Sequence, residues 1–201
     1  MPPLNLFISH VSTYKQIATN FAKDLAKYNL TPFVAHEEIE PTAVWQEEIE
    51  KFLHKADCLL VLLSKGCSDS IWCNQEIGIA LGRSIPIVSV RIDEDPKGFI
   101  GKWQAYTPKQ PINYSHEVGQ IIQLIRKMAS RSNIVREWLI DSLNHSRSFY
   151  ESNDICDALL GIQLSKAEIQ SIKKSFMKNS QVKGANNITN ILNEKWIASN
   201  T

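Results

Sequence analysis

The sequence predicts an α/β fold, a parallel sheet covered by helices on both faces, followed by an all-helical extension. Three observations carry this prediction. Over the first 113 residues, short apolar runs alternate with amphipathic stretches, the alternation expected of strands and crossover helices in a parallel sheet. One run, Cys58-Leu59-Leu60-Val61-Leu62-Leu63, is apolar throughout, as a central strand buried on both faces should be. After Ala129 no strand-like run recurs, while apolar residues keep a helical spacing.

The elements follow in order. Residues 4–9 read as the first strand. Ile17, Phe21, Leu25 and Tyr28, with Lys15, Lys23, Asp24 and Lys27 between them, predict an amphipathic helix over 13–28. A second strand at 31–35 leads into the polar loop 36–42. The next helix lines one side with Trp45, Ile49, Phe52, Leu53 and Ala56, with Pro41 at its boundary and Thr42 as N-cap. The third strand is the apolar run 58–63, and the turn-forming stretch 64–70 feeds a helix from about residue 71 to 81. Residues 85–92 make a fourth strand. Prolines or glycines at 96, 98, 101 and 108 predict a loop over 93–111 with a short helix around 99–104. Ile112-Asn113 reads as a brief edge strand, and Val118, Ile121, Ile122 and Ile125 as the face of a closing helix. This order is that of a flavodoxin-like fold of five strands.

The expected organisation is a domain at 1–128 and a small helical extension at 129–201. The extension places Ile134, Trp138, Leu139 and Leu143, then Ile155, Leu159 and Leu160, then Ile169, Ile172 and Phe176, at helical spacing. Helices at 149–160 and 165–178, joined by Gly161-Ile162-Gln163-Leu164, have a spacing that a helix-turn-helix shares. The modest charge here favours a packing or oligomerisation module instead.

Charge and composition exclude several functions. Lys+Arg of 22 against Asp+Glu of 21 leaves a net +1, so no global field holds a nucleic acid or an anionic membrane. Apolar runs fall far short of the ~20 residues of a spanning helix, and Met1-Pro2-Pro3 lacks a basic region of a signal peptide. A soluble, cytoplasmic protein is expected. Cys58, Cys67, Cys73 and Cys156 form no CxxC pair and read as reduced thiols, with no metal site. No Walker-type loop or GxGxxG occurs, and the Gly78-xxx-Gly82 spacing suits close helix-to-sheet approach.

Chemistry concentrates in the third strand-helix unit. Trp72 and Glu76 are four apart at the start of a helix, so both project from one face. That helix start lies at the carboxyl edge of the sheet, where open α/β folds bind ligands. On spacing alone, Glu76 also fits a surface carboxylate offsetting the helix dipole, and Trp72 a partly buried anchor.

Four separated blocks carry a resemblance: Phe7-Ile8-Ser9-His10; Phe33-Val34-Ala35-His36-Glu37-Glu38-Ile39-Glu40-Pro41 with Trp45; Ser70-Ile71-Trp72-Cys73-Asn74-Gln75-Glu76; and Ala80-Leu81-Gly82-Arg83 with Pro86-Ile87-Val88. In order and spacing they resemble bacterial TIR domains over roughly residues 4–126. The resemblance implies cleavage of NAD at the nicotinamide–ribose bond, with NAD as substrate and no cofactor. It makes Glu76 the catalytic glutamate and brings Ser9, His10, His36, Trp45, Ser70 and Trp72 to the substrate. Breaking this bond develops oxocarbenium character that a carboxylate stabilises, and nicotinamide leaves neutral without a general acid. The chain is also similar to the stand-alone TIR proteins of antiphage systems such as Thoeris. That likeness implies an ADP-ribosyl cyclase-type product read by a separate nucleotide-sensing effector, and self-association through TIR surfaces. A non-enzymatic adaptor, or an enzyme that only depletes NAD, is the alternative. Arg83 suits either a phosphate contact or a helix C-cap. A receiver-like phosphorylation domain fits poorly, since the first strand ends in Ser9-His10 rather than paired acids.

Overall fold

The computed structural model describes residues 3–34 and 45–197. Within Pro3–Leu124, one of two compact units, four strands form a parallel sheet: β1 (Leu4–Ser9), β2 (Leu30–Val34), β3 (Cys58–Leu63) and β4 (Ile87–Arg91), in the order β2-β1-β3-β4. Helices α1 (Lys15–Leu25), α2 (Trp45–Lys55), α3 (Ile71–Gly82) and α4 (Tyr114–Lys127) each follow a strand. The chain steps from β1 to β2 on one side and to β3 on the other, so the strand order reverses between β1 and β3. In open α/β sheets a ligand crevice forms outside the carboxyl ends at such a point. Ser9 is the last residue of β1 and stands in register with Val61 of β3.

Both central strands are buried as their sequences require, β3 along its whole length. One face packs Phe7, Leu59, Val61 and Leu63 against Ile49 and Leu53 of α2 and Cys73, Ile77 and Ala80 of α3. Phe33 stacks on Phe52 with ring centroids 3.7 Å apart. Elsewhere in the unit, Phe21 of α1 meets Tyr114 of α4 edge-on at 5.0 Å. At about 1.5–3 kcal/mol for each large side chain removed from water, these contacts are the main source of cohesion.

The fifth strand expected at 112–113 is not formed, and the described residues hold four. Tyr106 instead makes an isolated parallel bridge with Val90, accepting from the Arg91 N–H at 2.7 Å and donating its own N–H to Ser89 at 2.9 Å. Its hydroxyl donates to the buried Glu117 carboxylate. Pro108 and Pro111 supply no N–H, which removes two donors from any ladder along this segment. Pro86 likewise starts β4 at Ile87 rather than at residue 85. The short helix expected near 99–104 is a single 3-10 turn, Gly98–Ile100.

The chain from Ile125 onward makes the second compact unit, all helical: α5 (Asn133–His145), α6 (Phe149–Leu159), α7 (Lys166–Lys178), α8 (Ser180–Lys183) and α9 (Ile188–Ile197). Serines start the first three of these, the Ser132, Ser148 and Ser165 hydroxyls accepting N–H groups of Val135, Glu151 and Glu168. Each such cap contributes about 1 kcal/mol. Arg136 of α5 pairs with Glu168 of α7 at 2.7 Å, and the buried Arg126 with Asp154 of α6 at 3.0 Å. Among the described residues no helix is long and apolar enough to cross a membrane.

Candidate functional site

The start of α3 is fixed by Ser70, whose hydroxyl accepts the Cys73 N–H at 3.3 Å as an N-cap. From that start the helical repeat sends Cys73, Glu76, Ile77 and Ala80 inward, all buried, and leaves Ile71 exposed at the surface. Glu76 is only 4% exposed, which sets it apart from the surface carboxylate that spacing alone allows.

Glu76 faces the end of β1. The Ser9 hydroxyl, 1% exposed, lies beside its carboxyl group, yet Ser9 Oγ and Glu76 Oε2 have no hydrogen-bond partner among the described residues. Burial pushes the Glu76 pKa up to about 8, the Ser9 hydroxyl pulling it back and negative charge on Cys73 adding to the rise. No cation among the described residues offsets the burial. A buried acid left in this condition is costly to the fold, and such groups cluster where a ligand completes them.

His10 follows Ser9 at the same strand end. It is buried, and its Nδ1–H donates to the Ile8 carbonyl at 3.2 Å, so in the neutral ring Nε2 is the acceptor. Trp72 is 37% exposed at the first turn of α3. Ser9 thus meets Glu76 at the carboxyl edge of β1, with His10 next in the chain at that strand end and Trp72 one turn before Glu76 on α3. Ser70 serves the helix as its cap. His36 lies outside the described residues, and Trp45 opens α2 with its side chain likewise outside them.

Two thiols belong to this neighbourhood and are invisible as a motif. Cys73 sits one turn before Glu76 on the inner face, in contact with Cys67 from the loop after β3. Contact with Cys67, with the Ser70 and Ser9 hydroxyls beside it, makes Cys73 the more acidic of the pair, and Cys67 is driven up. The i, i+3 spacing from Cys73 to Glu76 was the available signal. Arg83 is settled in favour of capping, on α2 rather than on its own helix: its guanidinium donates to the carbonyls of Leu53 and, at 3.0 Å, Ala56.

No curated protein matches the chain. Among solved structures it is similar to the TIR domain of the Toll-related receptor TRR-2 from Hydra magnipapillata, at 14% identity over 51% of this chain and 82% of that one, with a TM-score of 0.43. The family model for the TIR domain matches residues 6–125. That span takes in β1 from Leu6 onward, the other three strands, the Ser9-His10 strand end and the whole of α3 with Glu76, and the chain accordingly belongs to the TIR domain family.

Proposed function

We propose that the protein cleaves NAD at the nicotinamide–ribose bond. The observation that carries this reading is Glu76, a buried carboxyl group with an unpartnered oxygen, aimed at the strand edge where open α/β folds bind ligands. As the bond to nicotinamide lengthens, positive charge grows on the ribose. A carboxylate held in a low-dielectric site stabilises that charge far better than water does. The Ser9 hydroxyl orients Glu76 or a ribose hydroxyl, His10 Nε2 accepts from a ligand hydroxyl, and the Trp72 indole offers a stacking face for nicotinamide or adenine. The cationic nicotinamide of the arriving substrate draws Glu76 into its charged form.

On this reading the product is an ADP-ribose derivative, and its resemblance to stand-alone antiphage TIR proteins extends the proposal to a cyclic signal nucleotide. The partner would be a separate effector that senses that nucleotide. On the same reading the helices after the TIR region would serve in assembly. An adaptor role is the second reading, favoured by the exposed apolar side chains of Ile71 and Phe99, 71% and 81% exposed on the TIR unit. Incubation of the purified protein with NAD, with the nucleotide product identified by mass and chromatographic retention, separates the two. Release of nicotinamide by the wild type and not by Glu76→Gln supports the enzyme. Unchanged NAD at high protein concentration, under conditions that promote assembly, leaves the adaptor.

A further inference from the structure

The end of β4 reaches over to the loop that starts α3. The backbone N–H groups of Ile92, Asp93 and Glu94 all point at the Leu63 carbonyl, at 2.9, 3.0 and 3.0 Å, which pins residues 92–94 to the end of β3. From there the Glu94 carboxylate spans the β3–α3 loop. Its Oε1 accepts from the Gly66 N–H at 3.0 Å and its Oε2 from the Ser68 N–H at 3.1 Å. Gly66 has φ +90, a conformation that favours glycine, and there its amide meets the carboxylate. These two amides hold the Glu94 pKa below the usual carboxyl range.

Ser68 is gripped from three directions. Glu94 takes its N–H, the Lys97 ammonium donates to its hydroxyl at 3.1 Å, and the Asn74 amide of α3 donates to its carbonyl at 2.9 Å. The same Asn74 amide donates to the Ser70 carbonyl at 2.9 Å, so the first turn of α3 is joined to the loop. Cys67, between the two clamped amides, packs against Cys73 in the hydrophobic core. A closed ring results: from the end of β3 to residues 92–94, through the Glu94 carboxylate to Gly66 and Ser68, through Asn74 and the Ser70 cap into α3, and so to Glu76. Beside it, the half-buried Tyr14 hydroxyl lies against the Asp93 carboxylate and the Lys65 amide, drawing the loop after β1 to the same point.

We propose that Glu94 is a positioning residue for Glu76, its carboxylate clamping the loop before α3 so that the Glu76 carboxyl is held at a fixed depth beside Ser9. This rests on the NAD-cleaving reading. A displacement on the order of 1 Å at a reacting group costs up to about a hundredfold in rate, and the clamp is the device that resists it. Glu94 does not touch the substrate. Its loss therefore lowers turnover while leaving substrate affinity nearly as it was.

The test uses the full chain and the variants Glu94→Gln, which keeps the size but offers one acceptor oxygen, and Glu94→Asp, which keeps the charge but reaches at most one amide. Amide hydrogen exchange at Gly66 and Ser68, Glu76 carboxyl titration by NMR and NAD kinetics are measured on each. In Glu94→Gln, faster exchange at both amides is expected, with kcat reduced about tenfold or more and KM within about threefold; Glu94→Asp falls between, and carries the same test should the Gln variant not fold. Exchange at the two amides unchanged from wild type overturns the clamp. Faster exchange with kcat unaltered overturns the positioning role. Should the wild type leave NAD intact, that result counts against the NAD-cleaving reading; the clamp is still judged on exchange at the two amides, and the positioning of Glu76 on its titration. A midpoint displaced by about half a unit or more in Glu94→Gln upholds it, and an unmoved midpoint overturns it.

Discussion

The Ser9 hydroxyl at the end of β1 and the Glu76 carboxyl on α3 sit side by side in the interior, and neither Ser9 Oγ nor Glu76 Oε2 is hydrogen-bonded among the described residues. Two polar groups this close would ordinarily close a bond, since an unsatisfied buried oxygen costs about 1–3 kcal/mol. On the proposed NAD-cleaving reading, both are placed to meet a ribose hydroxyl at the sheet edge.

Replacing Glu76 by Gln keeps the shape and removes the charge, so NAD cleavage is expected to fall by about 10² to 10³. Stability moves the other way. The folded-state pKa of about 8 stands above the 4.5 of the free group, so the native state holds its proton more tightly than the unfolded chain. The wild type therefore loses stability as pH rises from about 4.5 to about 8, by an amount on the order of 4 to 5 kcal/mol for that shift. Glu76→Gln should escape this loss and unfold at higher denaturant than wild type at the upper end of that window, with little difference at the lower end. A variant less stable than wild type at both ends would show that Glu76 is held by contacts outside this account.

The same pKa shapes the rate profile. With Glu76 working as the carboxylate, kcat/KM, which reports the free enzyme, should climb as pH approaches about 8 and then level. The profile of kcat reports the complex, where the cationic nicotinamide favours the charged acid, so its midpoint is expected at lower pH. Initial rates over a buffer series from about pH 5 to about pH 9 give both curves. A flat kcat/KM across this range would mean the charge on Glu76 is not used.

Arg83 offers a contrast between structure and catalysis. Its guanidinium satisfies the carbonyls of Leu53 and Ala56 where α2 ends, and hydrogen bonds from a charged group contribute about 1.5–3 kcal/mol. Because the side chain is largely exposed, Arg83→Ala should cost the lower part of that range in denaturant unfolding. NAD turnover should stay within about twofold of wild type. A large rise in KM with unchanged stability would instead make it a phosphate contact.

How much of this was legible differs by element. Both central strands, Leu4–Ser9 and Cys58–Leu63, stand where the apolar runs put them, because a parallel strand buried on both faces writes itself as an unbroken apolar stretch. The start of α3 at Ile71 was legible through the turn-forming stretch 64–70 ahead of it, whereas the capping role of Ser70 emerges only from the structure. The edge was not. Ile112-Asn113 has the apolar look of a strand, but pairing there depends on which backbone groups Pro108 and Pro111 leave available, and Tyr106 took the place beside Val90. In the site, the motif pointed to Glu76 without revealing its burial, because a helix wheel cannot say how deep the sheet edge lies. Glu94 was unreadable, since its partners Gly66 and Ser68 are 28 and 26 residues away and are bound through backbone groups.

Trp72 separates ligand contact from core packing most directly. It stands one turn before Glu76 at the first turn of α3 and is 37% exposed, while Cys73, Ile77 and Ala80 on the same helix carry the packing against the sheet. A fully buried aromatic truncated to Ala costs about 3–5 kcal/mol, and an indole with over a third of its surface in water has much less to lose. Trp72→Ala is therefore expected to shift the denaturant midpoint only slightly while impairing NAD turnover strongly, with a rise in KM if the ring stacks on the bound nucleotide. A loss of stability of the core size would assign Trp72 to the packing of α3, and unchanged kinetics would remove it from the site, leaving Ser9, His10 and Glu76 to hold the substrate.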